Sequence, residues 1–267
     1  MIRMPAVAGQ FYEAKPSLLK REIEAYLTLR EPREEVIGVV CPHAGYMYSG
    51  HVAGAVYGRI IVPETVIIMG PNHTGLGHPA AVMASGTWQM PFGPVEIAED
   101  LARLILTESQ VLEDDAQAHL YEHSLEVQVP FLQYLNPRVR IVPICLSMLS
   151  LPEIEDVGQA CARAVMNYRH PVLLVASTDM SHYVPHAVAK EKDHLAIERI
   201  LELDHVGLIE VVVKEKISMC GVVPTAATLV AAKALGARGA ELVKYATSGE
   251  VSGDFYQVVG YAGIIIR

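Results

Sequence analysis

An α/β chain, with a mostly parallel central sheet between two helical layers in a single domain over residues 1–267, is the fold this sequence predicts. Two observations predict it. Short β-branched apolar runs alternate with amphipathic stretches along the whole chain, the pattern of strand–helix–strand units whose crossovers share one hand. The runs up to Ala176 are also nearly continuous in apolar residues, as strands are when helices cover both faces of the sheet. No 20–50-residue repeat and no low-complexity linker interrupts the alternation.

Taken in order, strands are expected at residues 36–40, 65–69, 80–84, 139–146, 172–176, 242–246 and 261–266, with the 256–266 end adding an antiparallel edge. Helices are expected at 16–29, 50–61, 95–106, 130–135, 151–168, 186–201, 206–215 and 224–235. Ser49 stands where an N-cap belongs, and Pro224 suits a first helical position.

Composition bounds the function. With 51% hydrophobic and 19% charged side chains in 267 residues, the chain is globular rather than disordered. A chain of this size buries about three quarters of its unfolded surface, so it needs no covalent staples. The four cysteines (Cys41, Cys145, Cys161, Cys220) are too scattered for a disulfide framework. A net charge of −9 without a basic cluster argues against nucleic acid as the partner. The chain opens without a signal-peptide pattern and has no apolar run of about 18 residues, so a cytoplasmic protein without a membrane span is expected.

The chemistry lies where the histidines fall. Three separate strands, 36–40, 65–69 and 172–176, run into Gly/Pro/Ser-rich loops that carry a histidine: Cys41-Pro42-His43-Ala44-Gly45-Tyr46, Gly70-Pro71-Asn72-His73-Thr74-Gly75 and Ser177-Thr178-Asp179-Met180-Ser181-His182. Ligand sites of open parallel sheets lie beyond the carboxyl ends of the strands, so His43, His73 and the Asp179/His182 pair are expected on one rim. One such histidine would read as a locally hydrogen-bonded loop residue. Three at the same topological position read as a metal or acid/base site.

Cys220, in Met219-Cys220-Gly221-Val222-Val223-Pro224, precedes a helix start, where the dipole and free amides favour a thiolate. It is a candidate nucleophile or soft metal ligand, with simple packing as the alternative. The other three cysteines lie in apolar settings and read as structural. His119-Leu120-Tyr121-Glu122-His123 has the form of an inverted zinc-peptidase motif, but the helix signals follow it rather than contain it. Glu122 or His123 can still point into the same pocket and orient a ligand. Asp179 is expected to orient an imidazole and His182 to act as acid/base. No nucleophile elbow, phosphate-binding loop or dinucleotide fingerprint occurs.

Six ordered segments carry a resemblance. Arg3-Met4-Pro5-Ala6-Val7-Ala8-Gly9-Gln10-Phe11-Tyr12, Pro42-His43-Ala44-Gly45-Tyr46, Gly70-Pro71-Asn72-His73, Glu122-His123-Ser124-Leu125-Glu126, Asp179-Met180-Ser181-His182 and Cys220-Gly221 resemble the Memo family. So does the tail from Tyr245-Ala246 to Tyr261-Ala262-Gly263. In archaea and bacteria the family is also called AmmeMemoRadiSam system protein B. The resemblance implies a fold similar to the LigB subunit of class III extradiol dioxygenases, in which two histidines and a carboxylate hold non-haem Fe(II). Carried over, His43 and His73 are metal ligands, Cys220 replaces the carboxylate, and His182 is the acid/base. A thiolate in that place makes Zn or Cu as suitable as Fe(II), and it is oxidisable beside O₂. AMMECR-type and radical-SAM proteins are the partners the family name implies. Two functions stay open. One is a metal-dependent redox enzyme, or its metal-free variant with Cys220 as nucleophile and His182 as base. The other is a binding module that holds a small molecule, peptide or partner protein in the inherited cleft.

Overall fold

The computed structural model describes residues 1–267. In chain order the elements are β1 (Ile2–Arg3), α1 (Pro16–Tyr26), β2 (Gly38–Cys41), α2 (Tyr46–Tyr57), β3 (Thr65–Pro71), β4 (Ala80–Val82), β5 (Thr87–Met90), β6 (Gly93–Glu96), α3 (Glu99–Glu108) and β7 (Glu113–Asp114). They continue with α4 (Val129–Leu135), β8 (Arg140–Leu146), α5 (Leu151–Met166), β9 (Val172–Ser177), β10 (His182–Val184), α6 (His186–Leu201), α7 (His205–Lys214), α8 (Val222–Ala234), β11 (Ala240–Thr247), α9 (Gly249–Ser252) and β12 (Val258–Ile266). Two short 3₁₀ turns, Gln117–His119 and Glu126–Gln128, bracket the one long irregular stretch before α4.

The main sheet runs β10-β12-β2-β9-β3-β8-β4-β7, with β11 paired to β12. Its four central strands, β2, β9, β3 and β8, are parallel. They are the β-branched runs whose residues are nearly all buried on both faces, which is why they lack a polar alternation. α2 and α8 both pack on β2, and α8 spreads over β9, β3 and β8 with α5 and α7 beside it and α3 against α5, while α1 and α4 pack with α2. The result is a three-layer αβα arrangement around one core of 71 buried residues. α8 is the most enclosed helix. Its small side chains Ala226, Ala227, Thr228, Ala231 and Ala232 let it lie close to the sheet and to α5 at once.

Several boundaries differ from the sequence reading for physical reasons. Residues 95 and 96 begin no helix. They belong to β6, which turns at Gly93 and pairs with β5, so that Val95 lies opposite the buried Trp88. The helix follows from Glu99. α1 stops at Tyr26, after which Thr28 and Arg30 donate backbone N–H groups to Gly54 O of α2 and to Gly58 O just beyond its end. α2 starts at Tyr46, and Ser49 donates its hydroxyl to Ala44 O from within the first turn instead of capping it. Pro224 is the third residue of α8, still in the turn where an N–H has no helical partner. β12 is antiparallel to β2 but lies inside the sheet, because β10 and β11 both pair with it. β1, β5 and β6 form a second, three-stranded sheet. At two to four residues each, these strands are too short for a period to show.

Candidate metal centre

β2, β9 and β3 are neighbours, so their carboxyl ends deliver His43, Asp179 and His73 to one place. The irregular stretch between the 3₁₀ turns adds Glu122 and His123, and the residue before the cap of α8 adds Cys220. One ring nitrogen from each of His43, His73 and His123 lies within 4.8 Å of the others. The His73 and His123 rings stack at 4.6 Å and 18°, and the His43 ring stands edge-on to both, at 5.3 and 5.5 Å.

Hydrogen bonding fixes which nitrogen the His43 and His73 rings present. The Ser177 hydroxyl donates to Ser124 O at 2.6 Å and accepts from Gln128 Nε2 at 2.8 Å. Its 2.9 Å contact with His43 Nδ1 is therefore an N–H donated by the ring, which leaves Nε2 as a bare lone pair. His73 Nδ1 likewise donates to Glu122 Oε1 at 2.9 Å, while Glu122 Oε2 accepts the His73 backbone N–H at 2.6 Å. Ser124 N–H also donates to this carboxylate at 2.8 Å, and His123 Nδ1 lies 3.5 Å from it. Burial pulls the Glu122 carboxyl up, but the His73 hydrogen bond and charge, the Ser124 amide and His123 together hold it down at about 2. The anion is thus ionised and accepts only. Burial, then the charges of His123, His73 and His182, hold His43 well below the usual histidine range, so it stays neutral. His123 is also lowered, first by burial. Neutral imidazoles with Nδ1–H engaged and Nε2 free are the form in which histidine binds metals.

Cys220 Sγ is 3.3 Å from His43 Nε2 and accepts the Asp179 N–H at 3.3 Å. Burial and the nearby Asp179 push its thiol up to about 12, so in the metal-free protein the S–H group is the donor to His43. All four cysteines are free. Its neighbour must be glycine. A Cβ on Gly221 would sit 2.5 Å from both Ser177 O and Thr178 Cβ, so the bare backbone lets α8 abut the end of β9. Asp179, pushed up to about 6 chiefly by burial, accepts the His43 backbone N–H at 2.8 Å. The orientation of His182 comes from elsewhere than expected. Its Nδ1 donates to Ser218 O at 2.8 Å, which leaves Nε2 unprotonated in the neutral ring. His119 does not join the cluster. It is buried beside Trp88, and the residues from 120 to 125 form no helix, so the peptidase spacing never reaches one helix face.

The residue whose importance the sequence least advertised is His123. It follows no strand, and its placement depends on a carboxylate, Glu122, that carries no apolar or turn signature. The local hints are the H-x-x-E-H form of residues 119–123 and an acid beside a histidine in a segment without period.

The donor set suits a transition-metal ion: three imidazoles converge, the Nδ1 groups of His43 and His73 are anchored by acceptors, and a thiol stands at the edge. His43 is 2% exposed at the floor, while His73 lies open to solvent, so the cluster can be reached from outside. Fold and site together define an αβα protein with a histidine cluster at the carboxyl ends of its parallel strands. The chain belongs to the Memo-like protein family, whose model matches residues 3–265. It is 48% identical to a MEMO1 family protein of Methanopyrus kandleri, across 100% of this chain and 99% of that one. It is 45% identical to MEMO1 family proteins of Pyrobaculum arsenaticum, over 100% and 99% of the two chains, and of Methanosarcina barkeri, over the whole of both. A crystal structure of an uncharacterized protein from Escherichia coli K12 shares the fold, with a TM-score of 0.56 at 13% identity, over 85% of this chain and 99% of that one. No helix is long and apolar enough to cross a membrane.

Proposed function

We propose that this protein is a metal-dependent enzyme of redox type, acting as one domain in the cytoplasm, with its ion held by His43, His73 and His123 and with Cys220 as an adjoining soft donor. The observation that carries the reading is the convergence of three ring nitrogens within 4.8 Å, with the opposite nitrogens of His43 and His73 bound by Ser177 and Glu122. Three protein ligands with an approach left open is the arrangement of catalytic rather than structural sites. Non-haem Fe(II) fits the family resemblance, and imidazole with thiol suits Zn and Cu as well. Such an ion, when bound, supplies a Lewis acid and a place for substrate or O₂. The chain's own residues do the rest. With its Nδ1–H on Ser218 O, the neutral His182 ring has Nε2 as the atom that takes a proton. Asp179 fixes the His43 main chain and donates its own N–H to Cys220 Sγ. Glu122 and Ser177 hold the ligand rings.

The test is metal analysis of untagged protein purified without chelator. We expect near-stoichiometric metal that His43→Ala and His123→Ala each remove; unchanged content in both would overturn the assignment. Metal binding by a thiol releases its proton. Calorimetry in buffers of different ionisation heat should therefore count about one proton fewer for Cys220→Ser, and an equal count would remove Cys220 from the donor set.

A second reading, a ligand-binding module without turnover, is favoured by one feature. A cavity of about 360 Å³ lined by Phe11, Tyr12, Met47 and Tyr48 adjoins the histidines through Phe11, whose ring lies 4.9 Å from His123. A small molecule or peptide seated there with affinity indifferent to His43→Ala would support it.

A further inference from the structure

The loop that carries Glu122 and His123 has no regular structure of its own, yet it sets two of the three imidazoles. What holds it comes from the far end of the chain. Arg3 is 1% exposed, and its guanidinium donates Nε to His119 O at 2.7 Å, Nη2 to Glu122 O at 2.7 Å and Nη1 to Glu126 Oε2 at 2.6 Å. The planar group lies 4.1 Å over the Trp88 ring. Glu126 in turn accepts Ala6 N–H at 2.7 Å, Val7 N–H at 3.0 Å and the Tyr12 hydroxyl at 2.6 Å. Residues 3–12 are thereby laced to residues 119–126 by the Arg3 fork and the Glu126 carboxylate. The same segment reaches the other histidine loop, since Phe11 O accepts the Tyr46 N–H at 2.7 Å where α2 begins, three residues after His43.

We infer that Arg3 is a positioning residue for the histidine cluster: its fork fixes the Glu122 peptide, so that the Glu122 carboxylate holds His73 and His123 stays stacked on it. The inference rests on the metal-binding reading above, but concerns a residue that touches no ligand atom. A buried Arg–Glu pair is a poor device for stability alone, because apolar side chains of similar size commonly serve as well or better. A planar fork that satisfies two carbonyls three residues apart, and a carboxylate, does something that apolar packing cannot: it sets the loop's register. Lysine cannot replace it, because one ammonium nitrogen does not reach three acceptors in a plane.

The test uses the full chain in three forms: unaltered, Arg3→Lys, and the charge-balanced double variant Arg3→Met with Glu126→Gln. The probe is Co(II) alone, read by its visible ligand-field bands and by competition titration, beside the thermal midpoint. The His73 tautomer is read by ¹⁵N NMR of metal-free protein. At temperatures where each variant is folded, we expect Co(II) affinity to fall by about tenfold to hundredfold. The bands should shift and His73 should lose its single Nδ1–H tautomer. Arg3→Lys keeps the charge, so it carries the test if the double variant does not fold. A lowered midpoint with affinity, bands and tautomer all unchanged would show a merely structural Arg3 and overturn the inference. Unaltered protein that binds no Co(II) would sink the metal reading instead, and the tautomer would then decide on Arg3: kept in the variants, it overturns the inference; lost, it supports it.

Discussion

Replacing Glu122 by Gln isolates what the carboxylate does for the cluster, because the side chain keeps its size and loses one acceptor oxygen and its charge. Glu122 accepts three N–H groups: the His73 amide at 2.6 Å, His73 Nδ1 at 2.9 Å and the Ser124 amide at 2.8 Å. A glutamine carbonyl in the Oε1 position keeps the last two, but as neutral bonds, losing roughly 1 kcal/mol each relative to a charged acceptor. Its NH₂ group then faces the His73 N–H, donor against donor, and leaves that N–H unsatisfied at a cost of about 1–3 kcal/mol. The sum is about 3–5 kcal/mol, or a midpoint lowered by about 6–20 °C in a chain of this length. Metal affinity should fall by about tenfold to hundredfold, since His73 is no longer held in one tautomer. Calorimetric melting and a zinc competition titration on the same preparation measure both. A variant that melts within about 2 °C of the unaltered protein, and binds zinc equally well, would refute the argument that Glu122 sets His73.

The other predictions concern different parts of the fold. Gly221→Ala should cost about 1–3 kcal/mol and weaken metal binding, because its methyl would meet Ser177 O and Thr178 Cβ at 2.5 Å and push Cys220 off His43. Gly239→Ala, where a Cβ meets nothing within 4 Å, should stay within about 0.5 kcal/mol when both variants are unfolded in urea. His119 is held at about 3 by burial and then by the Arg3 charge, so the folded protein keeps it neutral while the unfolded chain protonates near 6.5. The stability it contributes is full above pH 6.5 and lost as pH falls from there toward 3, about 2 kcal/mol by pH 5. His119→Phe should therefore lose less stability between pH 7 and pH 5 than the unaltered protein; parallel curves would mean His119 is not buried as a neutral ring.

How far the site could be read from sequence follows from how each residue reaches it. His43 and His73 leave buried parallel strands whose β-branched runs are visible, and the rule that such strands end at the ligand site places them together. His123 and the stretch from 120 to 125 obey no period, so nothing local says where they go. Their position is set by contacts far apart in sequence, 116 and 119 residues away at Arg3 and 53 residues away at the end of β3. The two- to four-residue strands of the small sheet were illegible for the same reason: their pairing partners define them, not their own sequence. His182 was legible as a candidate, but its orienting partner was not, because Ser218 contributes a main-chain carbonyl, and any residue type would supply one.

The hydrogen-bond directions make a stronger case for a cation than the mere grouping of histidines does. Ser177 can only accept from His43, because its own proton is committed to Ser124 O, and Ser177 is itself held by Gln128, whose Oε1 accepts the Tyr57 hydroxyl at 2.9 Å. Glu122 can only accept from His73. In their neutral forms the two rings thus turn one lone pair each toward a common point, held by groups that leave no alternative tautomer without breaking a hydrogen bond. In metal-free protein one of them is relieved by the Cys220 thiol at 3.3 Å, and an arrangement that aims acceptors at each other in a half-buried site is unfavourable unless something positive stands between them. A histidine cluster kept for packing would have no need of these acceptors, and exchanging Ser177 for alanine would leave it indifferent. If the cluster is kept for a cation, Ser177→Ala frees His43 to flip its tautomer and metal affinity falls while the fold persists.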